Sequence, residues 1–193
     1  MRKIVASDFD GTLTSKDTLL EFIRFAKGNA RCLFGFLLYS PLIVLMKLKL
    51  YPNYKSKQKV FSFFFKGMPL EEFNRLGREF ATSSQSILRP GGLEMLRQCS
   101  EDGVEVVVVS ASIDNWVQPF FPDLKVLGTQ VEVIGGRLTG RFLSKNCYGQ
   151  EKINRLLEVF PDRENYYLIA YGDSNGDRKL LDFADESYYK PFR

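Results

Sequence analysis

The sequence predicts an α/β fold: a doubly wound parallel sheet with a helical segment inserted after its first strand. Three observations carry that expectation. Short apolar runs at 4–6, 104–109 and 166–171, bounded by turn residues, read as buried strands. Helical stretches separate them, and strands alternating with helices imply parallel pairing. Each run also leads into polar side chains, and parallel sheets keep their ligands at the carboxyl ends of strands.

Residues 3–8 form the first strand. From Asp17 to about Phe80 the chain turns helical and aromatic, with its most apolar stretch at 32–46. Pro69 followed by Glu71 and Glu72 marks a helix start, with proline suited to the first turn and acids near the positive helix end. Arg89-Pro90-Gly91-Gly92 punctuates the return to the sheet, and a helix follows through Leu96. Asp102-Gly103 turns the chain into a strand that ends at Ser110. A helix around 115–121 comes next, then short strands flanking Gly135-Gly136, a two-residue hairpin signal. A helix at 151–159 precedes the strand 166–171, which ends in Gly172-Asp173-Ser174-Asn175-Gly176-Asp177. A last helix and a strand-like 187–189 complete the order. The expected division is a core of residues 1–14 and 89–193 around an inserted helical unit of residues 15–88.

Composition narrows the chemistry. With 193 residues, 45% hydrophobic and 26% charged, the chain suits a soluble globular protein with one good core and room for a smaller unit. A net charge of +4 suits an anionic ligand or membrane surface but is too weak to argue for nucleic acid, for which no motif is present. Cys32, Cys99 and Cys147 are odd in number and lack metal-type spacing, which favours a reducing compartment. The chain has no histidine. Nucleophile–histidine machinery, histidine-ligated zinc and phosphohistidine intermediates are therefore excluded. Asp8 and Asp10 interrupt any signal-peptide core, and the expectation is a cytoplasmic protein.

Asp8 and Asp10 carry the central argument. Alternation along a strand sets both on one side, with Phe9 turned the other way. Two adjacent acids repel and resist desolvation unless a cation joins them, so the pair implies a metal, a shared proton, or both. Ser110, Asp173 and Asp177 follow later strands, and Lys152 opens a helix between them. Carboxylates from separate strand ends can hold one Mg²⁺, which prefers oxygen ligands and keeps some waters for phosphate substrates. A carboxylate can attack phosphorus to give an acyl phosphate, and a neighbour two residues on can protonate the leaving oxygen and then activate water. Ser110 and Lys152 would offset charge on the phosphoryl oxygens. A calcium loop fits poorly: residue 13 is Leu, and after Asp173 the chain has Arg178 for the required glycine and Ala184 for the terminal Glu. Taken singly, Ser110 or Lys152 would be a cap or a solvated surface group, and Gly11 a residue that permits a tight turn.

Asp8-Phe9-Asp10-Gly11-Thr12, the apolar strand into Ser110, Lys152, and Gly172-Asp173-Ser174-Asn175-Gly176-Asp177 resemble, in order, the four motifs of the haloacid dehalogenase superfamily of phosphatases. The segment after the first motif resembles that family's C1 cap, and the arrangement is similar to its subfamily IB, phosphoserine-phosphatase-like branch. The resemblance implies a Rossmann-like core, an aspartyl-phosphate intermediate and Mg²⁺ as cofactor. It makes Asp8 the nucleophile and Asp10 the general acid/base. Asp8, the backbone carbonyl of Asp10 and Asp173 become the metal ligands, supported by Asp177. Phe9, Gly11, Ser110, Ala111 and Lys152 become the positions that bind the phosphate ester. Asp10 also argues against a dehalogenase, which lacks a second acid in that motif.

The substrate is less legible. Phosphoserine phosphatases usually have Ser after the second motif-one Asp and Gly-Asp-Gly-x-Asn-Asp as the fourth motif, where this chain has Gly11 and residues 172–177. Their cap Glu for the substrate amine is met by Asp17. Their cap Arg for the substrate carboxylate, expected shortly before Met68-Pro69, is replaced by Val60-Phe61-Ser62-Phe63-Phe64-Phe65 with only lysines upstream. An Arg pairs bidentately with a carboxylate in a way that neither Phe nor Lys reproduces. The expected substrate is a small or lipid-like phosphate ester less polar than phosphoserine, under a cap similar in character to the phosphatidylglycerophosphatase C type. Phosphoserine hydrolysis, phosphotransferase or phosphomutase chemistry on the same core, and a non-catalytic lipid-surface module are the alternatives. The run at 33–46 falls short of the roughly 20 residues that span a bilayer, is broken by Pro41 and meets Lys47 and Lys49. It either packs as cap core or faces lipid. Phe61, Phe63, Phe64 and Phe65, with Lys47, Lys49, Lys55, Lys57 and Lys59, offer the basic, aromatic surface that peripheral contact with an anionic membrane uses.

Overall fold

The structure, a computed structural model, describes residues 2–48 and 50–193; Met1, and Lys49 of the basic set above, lie outside the described residues. The chain begins with β1 (Arg2–Ser7) and continues through α1 (Thr18–Lys27), α2 (Asn29–Leu38), α3 (Ser40–Lys47), α4 (Asn53–Phe65) and α5 (Leu70–Ser83). Next come α6 (Pro90–Glu101), β2 (Glu105–Ile113), the short α7 (Asp114–Val117) and β3 (Lys125–Thr129). The hairpin of β4 (Val131–Ile134) and β5 (Arg137–Phe142) leads to α8 (Gln150–Val159), β6 (Tyr166–Gly172), α9 (Arg178–Phe183) and β7 (Glu186–Tyr189). Five strands form one sheet in the order β3-β2-β1-β6-β7, every neighbouring pair parallel. β1 is central, which accounts for the full burial of Ile4, Val5 and Ala6 and brings the ends of β1, β2 and β6 side by side.

Three boundaries differ from the sequence expectation. β2 runs on to Ile113 instead of ending at Ser110, with a register irregularity against β3 between Val109 and Ile113. The helix around 115–121 is a four-residue turn, α7, followed by a tighter turn at 118–120; Pro119 and Pro122 remove the donors a longer helix would need. α6 extends past Leu96 to Glu101, where Arg97 pairs with Glu94 and Glu101 along one helix face.

Two cores flank the sheet. One packs Ile4, Ala6, Val107 and Leu168 against Leu156 of α8 and Leu180 of α9. The other is aromatic and runs from the sheet into the inserted helices, joining Phe9, Trp116 and Phe120 to Phe22, Phe61, Phe65, Phe73 and Phe80. Phe22 stacks on Trp116 with ring centroids 4.7 Å apart, and Trp116 Nε1 donates to Thr18 Oγ1 at 3.2 Å. The entering and leaving strands of the insert also pair: Ser15 N donates to Ile87 O at 2.8 Å and Arg89 N to Leu13 O at 2.8 Å. The β4–β5 hairpin lies against the insert, with Gly67 N donating to Leu138 O at 2.7 Å and Leu138 N to Met68 O at 2.9 Å.

α2 and α3 are bent by 61° relative to each other, at a junction where Pro41 begins the second helix. The inner face of α2 packs closely: a Cβ on Gly35 would lie 2.2 Å from the Phe64 ring, so only glycine allows this approach. The outer faces leave Leu33, Phe34, Leu37, Leu38, Val44, Leu45 and Leu48 exposed. No single helix among the described residues is long and apolar enough to cross a membrane.

Candidate active site

β1 delivers Asp8 in extended conformation, after which the chain winds through Phe9–Leu13. The turn depends on Gly11, whose φ of +81° lies in the left-handed region and whose Cβ, were there one, would sit 2.5 Å from Asp173 Oδ2. Phe9 anchors the turn from below, with its ring 5.4 Å from Phe120 and 5.8 Å from Phe121. A cavity of about 540 Å³ opens above, lined at its deep end by Asp8, Asp10, Gly11, Ala111, Lys152, Asp173 and Asp177. Seven of the expected site residues thus converge. Phe9 and Ser110 sit behind the wall: both are fully buried, and a binding role for Phe9 is left to its backbone.

Lys152, from the first turn of α8, is almost wholly buried among acceptors. Its Nζ lies 2.5 Å from Asp8 Oδ1 and 2.6 Å from Asp177 Oδ1, and donates to Val109 O at 2.6 Å. Burial pulls its pKa down, but Asp8 and Asp177 outweigh that and hold it above the ordinary lysine range. Burial pushes the Asp8 carboxyl up to about 7, against the pull of Lys152 and with Asp177 and Asp10 adding to the rise. Asp177 moves the other way: burial would raise it, yet Lys152 and Ser174 hold it below its usual value. Its Oδ2 accepts from Asp173 N at 3.2 Å, Ser174 N at 2.9 Å and Ser174 Oγ at 2.7 Å, which fixes the loop after β6.

One carboxylate oxygen each from Asp8, Asp173 and Asp177 lies within 4.8 Å of the others. Asp173 is raised by burial and by Asp177, while the Arg193 guanidinium, seated on its Oδ2, opposes that rise. Three converging carboxylates that have already drawn side-chain cations, Lys152 to Asp8 and Asp177 and Arg193 to Asp173, are the donor set a hard divalent ion such as Mg²⁺ prefers. The carboxylate of Asp10 stands outside this cluster. It accepts from Thr18 N at 2.7 Å, Thr18 Oγ1 at 2.6 Å and Ser112 Oγ at 2.5 Å, while Ser110 Oγ is 3.5 Å away.

Sequence reasoning missed Thr18, Ser112 and Lys57. Ser112 carried a usable signal, since a residue two on from Ser110 shares its strand face. Thr18 carried none, because its contact with Asp10 depends on how α1 departs. Lys57 was visible only as one member of a basic run. The register of α4 turns it inward to donate to Ala111 O at 2.7 Å. Burial lowers its pKa, opposed by Asp10, Asp17 and Asp8. Asp17 caps α1, accepting from Leu19 N at 3.0 Å, and lines the same cavity. The lining also has an apolar part, Phe36, Ile43, Met46 and Val60.

A family model described as haloacid dehalogenase-like hydrolase matches residues 5–182. Protein CicA of Caulobacter vibrioides is 35% identical over 198 aligned positions, covering 98% of this chain and 86% of its own. A phosphoserine phosphatase of Archaeoglobus fulgidus is 29% identical over 125 positions, 62% of this chain and 34% of that protein. The solved structure of a protein of unknown function from Bordetella pertussis Tohama I has a TM-score of 0.84 at 16% identity. It covers 97% of this chain and 89% of its own, a likeness of fold alone.

Proposed function

The chain belongs to the haloacid dehalogenase-like hydrolase family, and from that premise we propose a Mg²⁺-dependent phosphomonoesterase of its phosphoserine-phosphatase-like branch that works through an aspartyl phosphate on Asp8. The observation that carries this reading is the buried pairing of Asp8 with Lys152, within a few ångströms of Asp173 and Asp177. Lys152 holds Asp8 Oδ1 and leaves Oδ2, which accepts only a long 3.3 Å bond from Thr12 Oγ1, as the attacking atom. Oδ2 bonds to phosphorus, the ester P–O bond breaks, and the leaving oxygen takes a proton from Asp10. Water then attacks the same phosphorus and gives its proton to Asp10, and the bond to Asp8 breaks to release phosphate. Thr18 and Ser112 orient Asp10 for both transfers.

Asp8, the Asp10 carbonyl and Asp173 would hold the ion, with Asp177 positioning Lys152 and the backbone at 173–174. When bound, Mg²⁺ draws charge from the phosphoryl oxygens. Gly11 and Ala111 border the space for those oxygens, and Ser110 fixes the strand end through Ser112 N, which donates to its Oγ at 3.0 Å. The setting is cytoplasmic, and the favoured substrate is an ester less polar than phosphoserine, because the cavity wall includes Phe36, Ile43, Met46 and Val60. Phosphoserine remains a second reading on one observation: Asp17 and Lys57 both line the cavity and would meet an amine and a carboxylate.

A screen of phosphate esters graded from phosphoserine through p-nitrophenyl phosphate to lipid phosphates, with Mg²⁺ or with EDTA, tests both. The expected result is turnover that EDTA removes and that is highest on the apolar esters. Phosphoserine hydrolysed far faster than the rest would overturn the apolar reading. No turnover on any ester with Mg²⁺ would overturn the phosphatase reading.

A further inference from the structure

The charge of this protein is divided along the chain. Residues 22–70 hold nine Lys and Arg and no Asp or Glu, whereas the remainder holds eighteen basic and twenty-three acidic residues. Within that acid-free stretch lie α2 and α3, whose outward residues are apolar at helical spacing: Leu33, Phe34, Leu37 and Leu38, then Val44, Leu45 and Leu48. Helices that are apolar all round belong in a core or a membrane, and here the core takes only the inner side, through Cys32 and Gly35. Arg31 and Lys47 flank the patch, both exposed. Just beyond it the ammonium groups of Lys55 and Lys59 sit over the rings of Tyr54 and Tyr51, 5.9 and 5.7 Å from the centroids. Tyrosines beside lysines are the usual furniture of a membrane interface.

The inner side of the same helix pair reaches the active site. Phe36 of α2 and Ile43 and Met46 of α3 line the cavity whose deep end holds Asp8, Asp10 and Lys152. We infer that α2 and α3 dip into one leaflet of an anionic membrane and that the cavity opens toward it, so that the substrate is a phosphomonoester carried on a lipid. The substrate half rests on the phosphatase reading above; the docking half does not. A ten-residue helix is about 15 Å long, half of the roughly 30 Å hydrocarbon core. The pair is therefore too short to span, and with its inner side packed on α4 it lies along one leaflet with its outer face buried there. A second copy of this chain is the poorer occupant, because a symmetric contact through this patch would bring two acid-free basic surfaces together. An anionic leaflet complements them.

The test uses the full chain with vesicles of phosphatidylcholine alone or mixed in equal parts with phosphatidylglycerol, and two substrates: p-nitrophenyl phosphate in solution and phosphatidic acid within the vesicles. The protein is expected to sediment with the anionic vesicles and to hydrolyse both esters. F34E/L37E should weaken vesicle binding about tenfold or more, and K47Q/K59Q roughly fivefold for each lysine. Both variants should keep turnover of p-nitrophenyl phosphate, which shows them folded, and lose turnover of phosphatidic acid. Wild-type protein that ignores anionic vesicles, or variants that bind them as well as wild type, would overturn the docking face. So would a dimer in solution that F34E/L37E splits without any vesicle binding. Vesicle binding with no turnover of either ester would instead break the phosphatase premise and the substrate claim with it.

Discussion

At the ends of β1 and β6 the chain buries an ammonium between two carboxylates, Lys152 with Asp8 and Asp177. On the outer face of α2 and α3 it leaves Leu33, Phe34, Leu37, Leu38 and Leu48 in the open. Each arrangement is the reverse of what a stable globule prefers. Desolvating one ion costs several kcal/mol even after relaxation, and large apolar patches on a monomer mark an interaction. The two regions differ in what they are built to meet. Charges held in a fixed, dry array act on a group a few atoms across, so positions matter to tenths of an ångström. Apolar side chains spread over two helices act on a surface, and there only area, sign and curvature matter.

Asp8→Asn gives the largest expected difference between the regions. It should lower Mg²⁺-dependent turnover of p-nitrophenyl phosphate by at least roughly 10³-fold, since the attacking atom is lost. Its stability should hold or rise, because burial is the dominant influence on Asp8 and the amide carries no charge to desolvate. Initial rates and a urea titration on the same preparation check both halves. Turnover within about tenfold of wild type would mean that the buried array is structural and that the two regions do not differ in this way.

Lys152→Met is next. It leaves Asp8 and Asp177 facing each other without their shared cation, and breaking such a buried pair costs about 3–5 kcal/mol. Leu37→Glu, on the exposed face, should change the stability of the protein in solution by only about 0.5 kcal/mol. Urea midpoints of the two variants, measured without added metal, sharpen the comparison directly. Similar losses would show that the α2 face is covered in solution.

The two regions were unequally legible in the sequence. Asp8 and Asp10 announce themselves because two acids after an apolar strand have few bland explanations, and Asp173 and Asp177 repeat the pattern one strand over. The central sheet follows from the same runs. Ser112 and Lys57 are harder, since each depends on where a neighbouring element stops or turns: β2 continues three residues beyond Ser110, and α4 rotates one lysine of its run inward. The α2–α3 surface is hardest of all. An apolar helix reads identically whether it packs in a core or faces outward, and here the decision is made by Gly35 and Phe64, which fix the side that packs. The hairpin of β4 and β5 gave its turn through Gly135-Gly136 but not its partner, because the contacts at Gly67 and Met68 are backbone to backbone and carry no side-chain signal.

Asp185 supplies the smallest effect and the calibration for the others. It is a carboxylate outside the cleft, with its side chain 36% exposed. Its Oδ2 accepts from Leu168 N at 2.7 Å and from Arg163 Nη2 at 2.8 Å. The Leu168 amide holds the group below its ordinary value of 3.8 against the rise from burial, with Arg163 adding to the pull. The unfolded chain therefore takes up this proton first as the pH falls. The stabilisation from Asp185 is present above pH 4 or so, declines as the pH drops through the lower folded value, and vanishes below it. Asp185→Asn can still accept from Leu168 N, so it removes the charge alone. At neutral pH it should cost at most about 1 kcal/mol, given the solvent exposure of the pair, and the gap to wild type should close as both proteins are titrated into acid. Urea midpoints of the two proteins from neutral pH downward read this out. A gap that persists unchanged in acid would mean that geometry, not charge, sets the contribution. A loss at neutral pH as large as that of Lys152→Met would mean that burial is not what separates the cleft from the rest of the charged surface.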